Sequence, residues 1–220
     1  MFSQEMIFHI MKGLWETIYM TLGSTALAYA IGIPLGLYLV VSDKDGISPN
    51  ATINKLAGSI VNIIRSVPFL ILMVAVMGIT RFIVGTTIGS KATIVPLVIA
   101  AAPYVARMVE SSIKEVDSGV IEAAQSMGAS TMQIVTRVML PEAKPSLIIG
   151  AAISTTVILG YSAMAGIVGG GGLGAIAINY GYYRKQTDVM LVMIIVLVII
   201  VQIFQEIGNF IARRCDKRIK

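Results

Sequence analysis

Long charge-free runs, rather than strict polar and apolar alternation, set the pattern of this chain. Residues 17–42 carry no charged side chain, 26 positions in all, and a helix needs only about 20 apolar residues to cross a bilayer. A first membrane span is predicted at about 14–42. A second, at about 56–80, contains Arg65, which is expected near one end where its head reaches the interface. A third, at about 92–110, starts after Lys91, contains Pro96 and Pro103, and extends past Arg107. From Pro145 to Tyr183 no charge appears. That is too long for one crossing and is interrupted by Gly166 and residues 169–172, so a fourth helix at about 145–165 and a glycine-rich return are predicted. A fifth, at about 188–211, is apolar at every position over 189–201. The fold class is all-α: an integral membrane protein of five spans, forming a single transmembrane domain over 1–220. Small-residue sites such as Ala26-Leu27-Ala28 resemble signal cleavage points, but Glu16 precedes them and apolar sequence continues beyond. The segment is expected to be retained.

Composition sharpens this picture. Hydrophobic types make up 56% of the 220 residues and charged types 13%, with a mean hydropathy of +0.83. Ordinary soluble domains are about a quarter charged, so a soluble enzyme is excluded. The net charge of +5 has no large solvated face to form a nucleic-acid footprint; it is read as topology. With the C-terminus cytoplasmic, the inner segments hold Lys44, Lys55, Arg65, Arg107, Lys114, Arg137, Lys144, Arg213, Arg214, Lys217, Arg218 and Lys220. The outer segments then hold only Lys12, Arg81, Lys91, Arg184 and Lys185. Basic residues favour the inner side, which places the N-terminus outside. The single cysteine, Cys215, and single histidine, His9, build neither an internal disulfide nor a metal site alone.

The sizeable polar insertion, 111–144, lies between spans three and four on the predicted cytoplasmic side. Asp117 and Ser118 precede a helix-compatible run with Glu122 in its first turn, and Gly128 is placed to terminate it. Ser130 with Gln133 forms a capping-box pattern for a second short helix, which Pro141 and Pro145 are expected to end. Ala123, Ala124, Gly128 and Ala129 would admit another backbone closely, while Ile121, Met127, Met132, Ile134 and Val135 offer apolar knobs. A docking surface and a segment lying on the inner leaflet both fit. The mixed charges of Lys114, Glu115, Asp117, Glu122, Arg137, Glu142 and Lys144 lack the strongly basic face of a lipid-binding helix.

Glu122-Ala123-Ala124, Gly128, Val138 and Leu140-Pro141 together resemble the EAA loop of the membrane subunits of type I ABC importers, with Val138 standing for the usual isoleucine. Arg65-Ser66-Val67-Pro68-Phe69, the run from Ala102 to Glu110, Gly160-Tyr161-Ser162-Ala163-Met164-Ala165-Gly166, Trp15-Glu16-Thr17 and Gly172-Leu173-Gly174 are similar to the methionine-import permeases in particular. The resemblance implies that Glu122, Ala123, Ala124, Gly128, Leu140 and Pro141 belong to a coupling helix that docks into a cytoplasmic ATPase subunit. It further implies two such ATP-binding cassette subunits using ATP and Mg, and an extracytoplasmic substrate-binding protein or lipoprotein. The setting implied is the inner membrane of a bacterium.

Other features are read more plainly. The glycines at 169–172 lack the Gly-Lys-Ser/Thr ending of a phosphate loop, and no such loop occurs elsewhere, so ATP chemistry is expected in a partner. Gly32 and Gly36, with Pro34 between them, predict close helix packing and a kink. Tyr161, Ser162 and Met164, near the outer end of span four, are candidate gate residues. Arg65, Arg107, Glu110 and Glu206 fall near span ends without an evident buried relay, which argues against proton-driven or voltage-driven transport. The expected function is ATP-driven import of a small amino acid, most simply methionine in its L- and D-forms, by alternating access; the alternatives are import of another amino acid, or a secondary transporter or channel not coupled to ATP. One copy of five helices leaves little room for a path, so a second copy is expected, with membrane lipid around it and no nucleic acid.

Overall fold

The computed structural model describes residues 4–215. Among these there are only helices and connections: α1 Gln4–Val41, α2 Ala51–Ser66, α3 Phe69–Ala75, α4 Met77–Val84, α5 Ser90–Lys114, α6 Ser118–Ser126, α7 Thr131–Ile134, α8 Leu140–Ala165, α9 Gly172–Ile176 and α10 Thr187–Cys215. Four helical stretches are long and apolar enough to cross a membrane. A fifth is reached if the bent pair α2 and α3 counts as one span. Lys217, Arg218 and Lys220, used above to orient the chain, lie outside the described residues.

The all-helical expectation is met, with local differences. Helix α1 begins at Gln4 rather than near residue 14, because an i,i+4 pair of Lys12 and Glu16 is readily carried on a helix. The second span is not one helix: it breaks at Val67-Pro68 and again at Val76. Pro68 cannot donate to the preceding turn, and it disfavours helical geometry at Val67. Helix α5 runs through both Pro96 and Pro103 to Lys114. Pro141 and Pro145 do not end the helix that follows the polar loop; helical structure is unbroken from Thr131 to Val168. A π-helical turn at Val135–Met139 widens the backbone where the Pro141 ring would otherwise meet the carbonyl one turn back. Residues beyond Ala165 are irregular only in part, since a 3-10 turn, α9 and a second π-helical turn at Ala177–Tyr183 follow.

Two compact units can be distinguished, and the four long stretches contribute to both. The first comprises Met1–Leu27, Val67–Ala101 and Ser154–Gln205. Its buried cluster joins Leu159, Leu173, Ile176, Val189, Met193 and Ile200, with Ile10 and Leu14 of α1 packed against it. Gly169, Gly171 and Gly172 take positive φ values of 87°, 80° and 75°, a region open to glycine at little cost.

The second unit comprises Ala28–Ser66, Ala102–Ile153 and Glu206–Lys220. Here α1 and α5 touch backbone to backbone. A Cβ on Gly36 would lie 2.5 Å from the Ala106 carbonyl oxygen and 2.7 Å from the Val109 Cβ, and one on Gly32 would lie 2.6 Å from the Val105 Cγ1. The G-x-x-x-G spacing thus packs two helices, as read from sequence. The turn after α1 is pinned by Asn54, whose Nδ2 donates to the Leu39 carbonyl at 2.7 Å and to the Ser42 Oγ at 3.0 Å. Along α10, Leu191, Ile194, Ile195, Val198, Ile199 and Ile203 of the first unit and Ile207 and Phe210 of the second are all exposed. An apolar surface of that extent is stable only against lipid or another protein.

Candidate functional site

The polar loop is built by local chemistry. Asp117 caps α6, its Oδ1 accepting from the Gly119 N–H at 2.7 Å. Glu122 is the fifth residue of α6 and lies just past the first-turn position expected for it, because α6 starts at Ser118. At the other end Gly128 takes φ 79°. The Gly128 N–H donates to the Gln125 carbonyl at 2.9 Å and the Ala129 N–H to the Ala124 carbonyl at 3.1 Å. This is a complete Schellman closure, with Gly128 at the left-handed C′ position. Ser130 and Gln133 then form the reciprocal capping box: the Ser130 N–H donates to Gln133 Oε1 at 2.8 Å, and the Gln133 N–H to Ser130 Oγ at 3.4 Å.

Exposure divides the loop residues. Glu122, Ala123, Gly128 and Pro141 are exposed, Leu140 is half-buried, and Ala124 is buried against its own chain. Of the five apolar knobs, Ile134 and Val135 are buried and Ile121 is half-buried, while Met127 and Met132 stand out at 81% and 70% exposure. With Val120, which is also exposed, the outward apolar surface rests mainly on two flexible methionines, a side chain that adapts to varied partners. Beside the loop, a cleft of about 530 Å³ is lined by Asp43, Lys114, Val116, Glu122, Gln125 and Met139.

The candidate gate residues are placed differently from one another. The Tyr161 ring stacks on Phe69 at 4.6 Å, nearly parallel. Ser162 is 1% exposed, and its Oγ donates back to the Leu159 carbonyl at 2.8 Å. That bond satisfies the hydroxyl within its own helix. Met164 is exposed. Tertiary structure also joins motifs far apart in sequence. Glu16 Oε2 accepts from the Gly172 N–H at 2.9 Å, and Thr17 Oγ1 accepts from the Leu173 N–H at 2.8 Å while donating to the Gly13 carbonyl. A short helix opened by glycine has no side-chain cap of its own, and α1 supplies it. The Arg65 guanidinium lies 5.9 Å from the Tyr104 ring centroid.

One constellation was missed by sequence reasoning. Arg107, Glu110 and Lys114 form a connected polar column on α5. Arg107 Nη1 donates to Glu110 Oε2 at 2.6 Å, and Lys114 Nζ donates to Glu110 Oε1 at 3.0 Å and to Asp43 Oδ2 at 2.9 Å. The Lys114 ammonium, with the Lys44 backbone N–H, holds the Asp43 carboxyl below its ordinary range. The i, i+3, i+7 spacing was visible, but the partner Asp43 lies 71 positions away from Lys114 in sequence.

Against known proteins, residues 32–220 match the family described as binding-protein-dependent transport system inner membrane component. The chain belongs to this family. A probable D-methionine transport system permease protein, MetI of Vibrio cholerae, is 48% identical over 95% of this chain and 93% of its own length. The methionine import system permease protein MetP of Bacillus subtilis is 45% identical over 93% of this chain and 92% of its own. Among solved structures, a chain of the MetNI methionine ABC transporter in inward facing conformations aligns with a TM-score of 0.97 at 45% identity, covering 98% of this chain and 100% of that one. A chain of an amino acid ABC transporter with histidines shares the fold at a TM-score of 0.73 and 23% identity, over 96% and 95% of the two chains. As an inner membrane component of such a transport system, the chain is a permease subunit with several membrane helices, and the loop just described is the part with an outward, capped and self-consistent local structure.

Proposed function

We propose that this chain is the membrane subunit of an ATP-driven importer that carries methionine, in its L- and D-forms, across the cytoplasmic membrane of a bacterium by alternating access. The observation that carries this reading is the near full-length similarity, 45% identity over 98% of the chain, to the membrane protein of a methionine ABC transporter. In this reading α2 and α3 together make the second of five spans, the N-terminus faces out and the C-terminus in, and two copies enclose the path. Glu122, Ala123, Gly128 and Pro141 face an ATPase subunit, with Ala124 and Leu140 holding the loop to its own chain. Two ATP-binding cassette subunits bind and hydrolyse MgATP, and a substrate-binding protein or lipoprotein delivers the amino acid from outside. Tyr161 and Met164 stand at the gate, and Ser162 shapes the helix behind them. Closure of the ATPases displaces the loop and biases the spans between two states, so the energy of nucleotide binding appears as a differential contact at the loop.

The test is reconstitution of the chain with its ATPase and receptor into proteoliposomes. ATP-dependent uptake of labelled methionine is expected, competed by D-methionine and lost when the ATPase subunit is omitted. Uptake that persists without the ATPase, or an absence of methionine uptake in the complete complex, overturns the reading.

A further inference from the structure

Helix α2 presents a packing problem. Of its 16 residues only Val61 is buried, so apolar burial within this chain does little to fix it to its neighbours. Against α1, by contrast, α5 is held by the glycine contacts of Gly32 and Gly36. What joins α2 to α5 is polar: Arg107 Nη2 donates to the Gly58 carbonyl at 3.2 Å and to Asn62 Oδ1 at 2.9 Å, while Nη1 holds Glu110. The same Glu110 carboxylate, 13% exposed, takes Lys114 on its other oxygen, and Lys114 reaches Asp43 in the turn that leads to α2. The Arg107 fork thus binds α5 to the body of α2, and the Lys114 ammonium binds it to the turn before α2. Only Glu115 and Val116 separate Lys114 from Asp117, the cap of α6, and Val116 is buried.

We propose that Asp43, Lys114, Glu110 and Arg107 are positioning residues forming a rigid strut that carries displacement of the coupling loop from α5 to α2, and that the strut stays closed through the transport cycle. This rests on the importer reading given above. Isolated exposed pairs contribute little, because each partner pays side-chain entropy and is screened. Here every charged group has at least two partners, Asp43 taking the Lys44 N–H besides Lys114, so no member rotates away without breaking a second bond. Arginine is required at 107, since only a planar fork reaches Glu110, Gly58 and Asn62 at once, and a lysine point charge does not.

The test compares methionine taken up per ATP hydrolysed in the reconstituted complex for wild type, Arg107→Lys, Asp43→Asn and, as a control on the exposed face of α2, Lys55→Gln. The ratio is expected to fall at least about fivefold in Arg107→Lys and about twofold in Asp43→Asn, with the control at the wild-type ratio. A second arm covers variants that assemble poorly. Because Cys215 is the sole cysteine, Asp43→Cys with Lys114→Cys in a Cys215→Ser background can be joined by a short bis-methanethiosulfonate. Joining is expected to restore the ratio that the two cysteines lower. Wild-type ratios in Arg107→Lys and Asp43→Asn overturn the strut, as does a joined pair that blocks uptake, which would mean the contact must open. A wild-type complex without ATP-driven uptake instead overturns the importer reading.

Discussion

Gly128 separates two physical accounts of the same loop. One holds that a partner's backbone must come close; the other, that the chain must turn left-handed. The structure argues for the second: φ is 79°, and a Cβ built at this position meets nothing within 4 Å of its own chain. An alanine here is strained without being crowded. Left-handed backbone costs an L-residue roughly 1–2 kcal/mol, so Gly128→Ala should weaken the closure of α6 by about 1 kcal/mol after the lower entropy of the unfolded chain is credited. That shifts the local equilibrium about fivefold toward fraying. Asparagine tolerates this region, so Gly128→Asn should cost only a few tenths of a kcal/mol although its side chain is larger. Valine, β-branched, should cost about 2 kcal/mol or more. Amide hydrogen exchange at Met127, Gly128 and Ala129 reads the closure directly, and uptake per ATP reads its consequence. The expected order of impairment is Asn, Ala, Val. If Gly128→Asn is worse than Gly128→Ala in both assays, size and not φ decides, and the conformational argument fails.

Four further outcomes follow from the geometry. Gly36→Ala forces a Cβ to 2.5 Å from the Ala106 carbonyl oxygen, an overpacking expected to cost about 1–3 kcal/mol; a lowered Tm of the purified complex in detergent checks it. Thr17→Val strands the buried Leu173 N–H, whose 2.8 Å bond it removes, at an expected cost of about 1–3 kcal/mol; Thr17→Ser should retain most of the stability in the same melt. Asp117→Ala removes the cap of α6 and should cost about 1 kcal/mol, visible as faster exchange at Gly119 with little change at Ala129. Because the Asp43 carboxyl is held below its ordinary value by Lys114, its contribution is full above the unfolded-state pKa of about 4 and is lost as pH falls through the lower folded value. Asp43→Asn should therefore flatten the acid limb of a stability–pH curve below about pH 4 and leave its shape at pH 6–8 unaltered.

What could be read from the sequence was whatever depends on near neighbours. Charge-free length marked the helical membrane stretches, since burial of backbone in lipid demands a helix and about 20 apolar residues. Ser130 with Gln133 announced its own capping box, and Gly128 its terminator, because each of these bonds closes within a few residues; the glycine pair at 32 and 36 announced a close approach, but only the folded chain showed that α5 makes it. The loop motif carried the family for the same reason: it is short and contiguous. Tertiary structure decided the rest. Proline alone did not say whether a helix ends: at Pro68 it does, whereas at Pro141 a π-helical turn lets it continue. Only the folded chain set Ala124 and Ile134 inward and Met127 and Met132 outward. It likewise brought Glu16 and Thr17 to the start of α9, 156 positions away, and Asp43 to Lys114. Such pairings join residues whose separation along the chain far exceeds any helical period, so no local pattern encodes them.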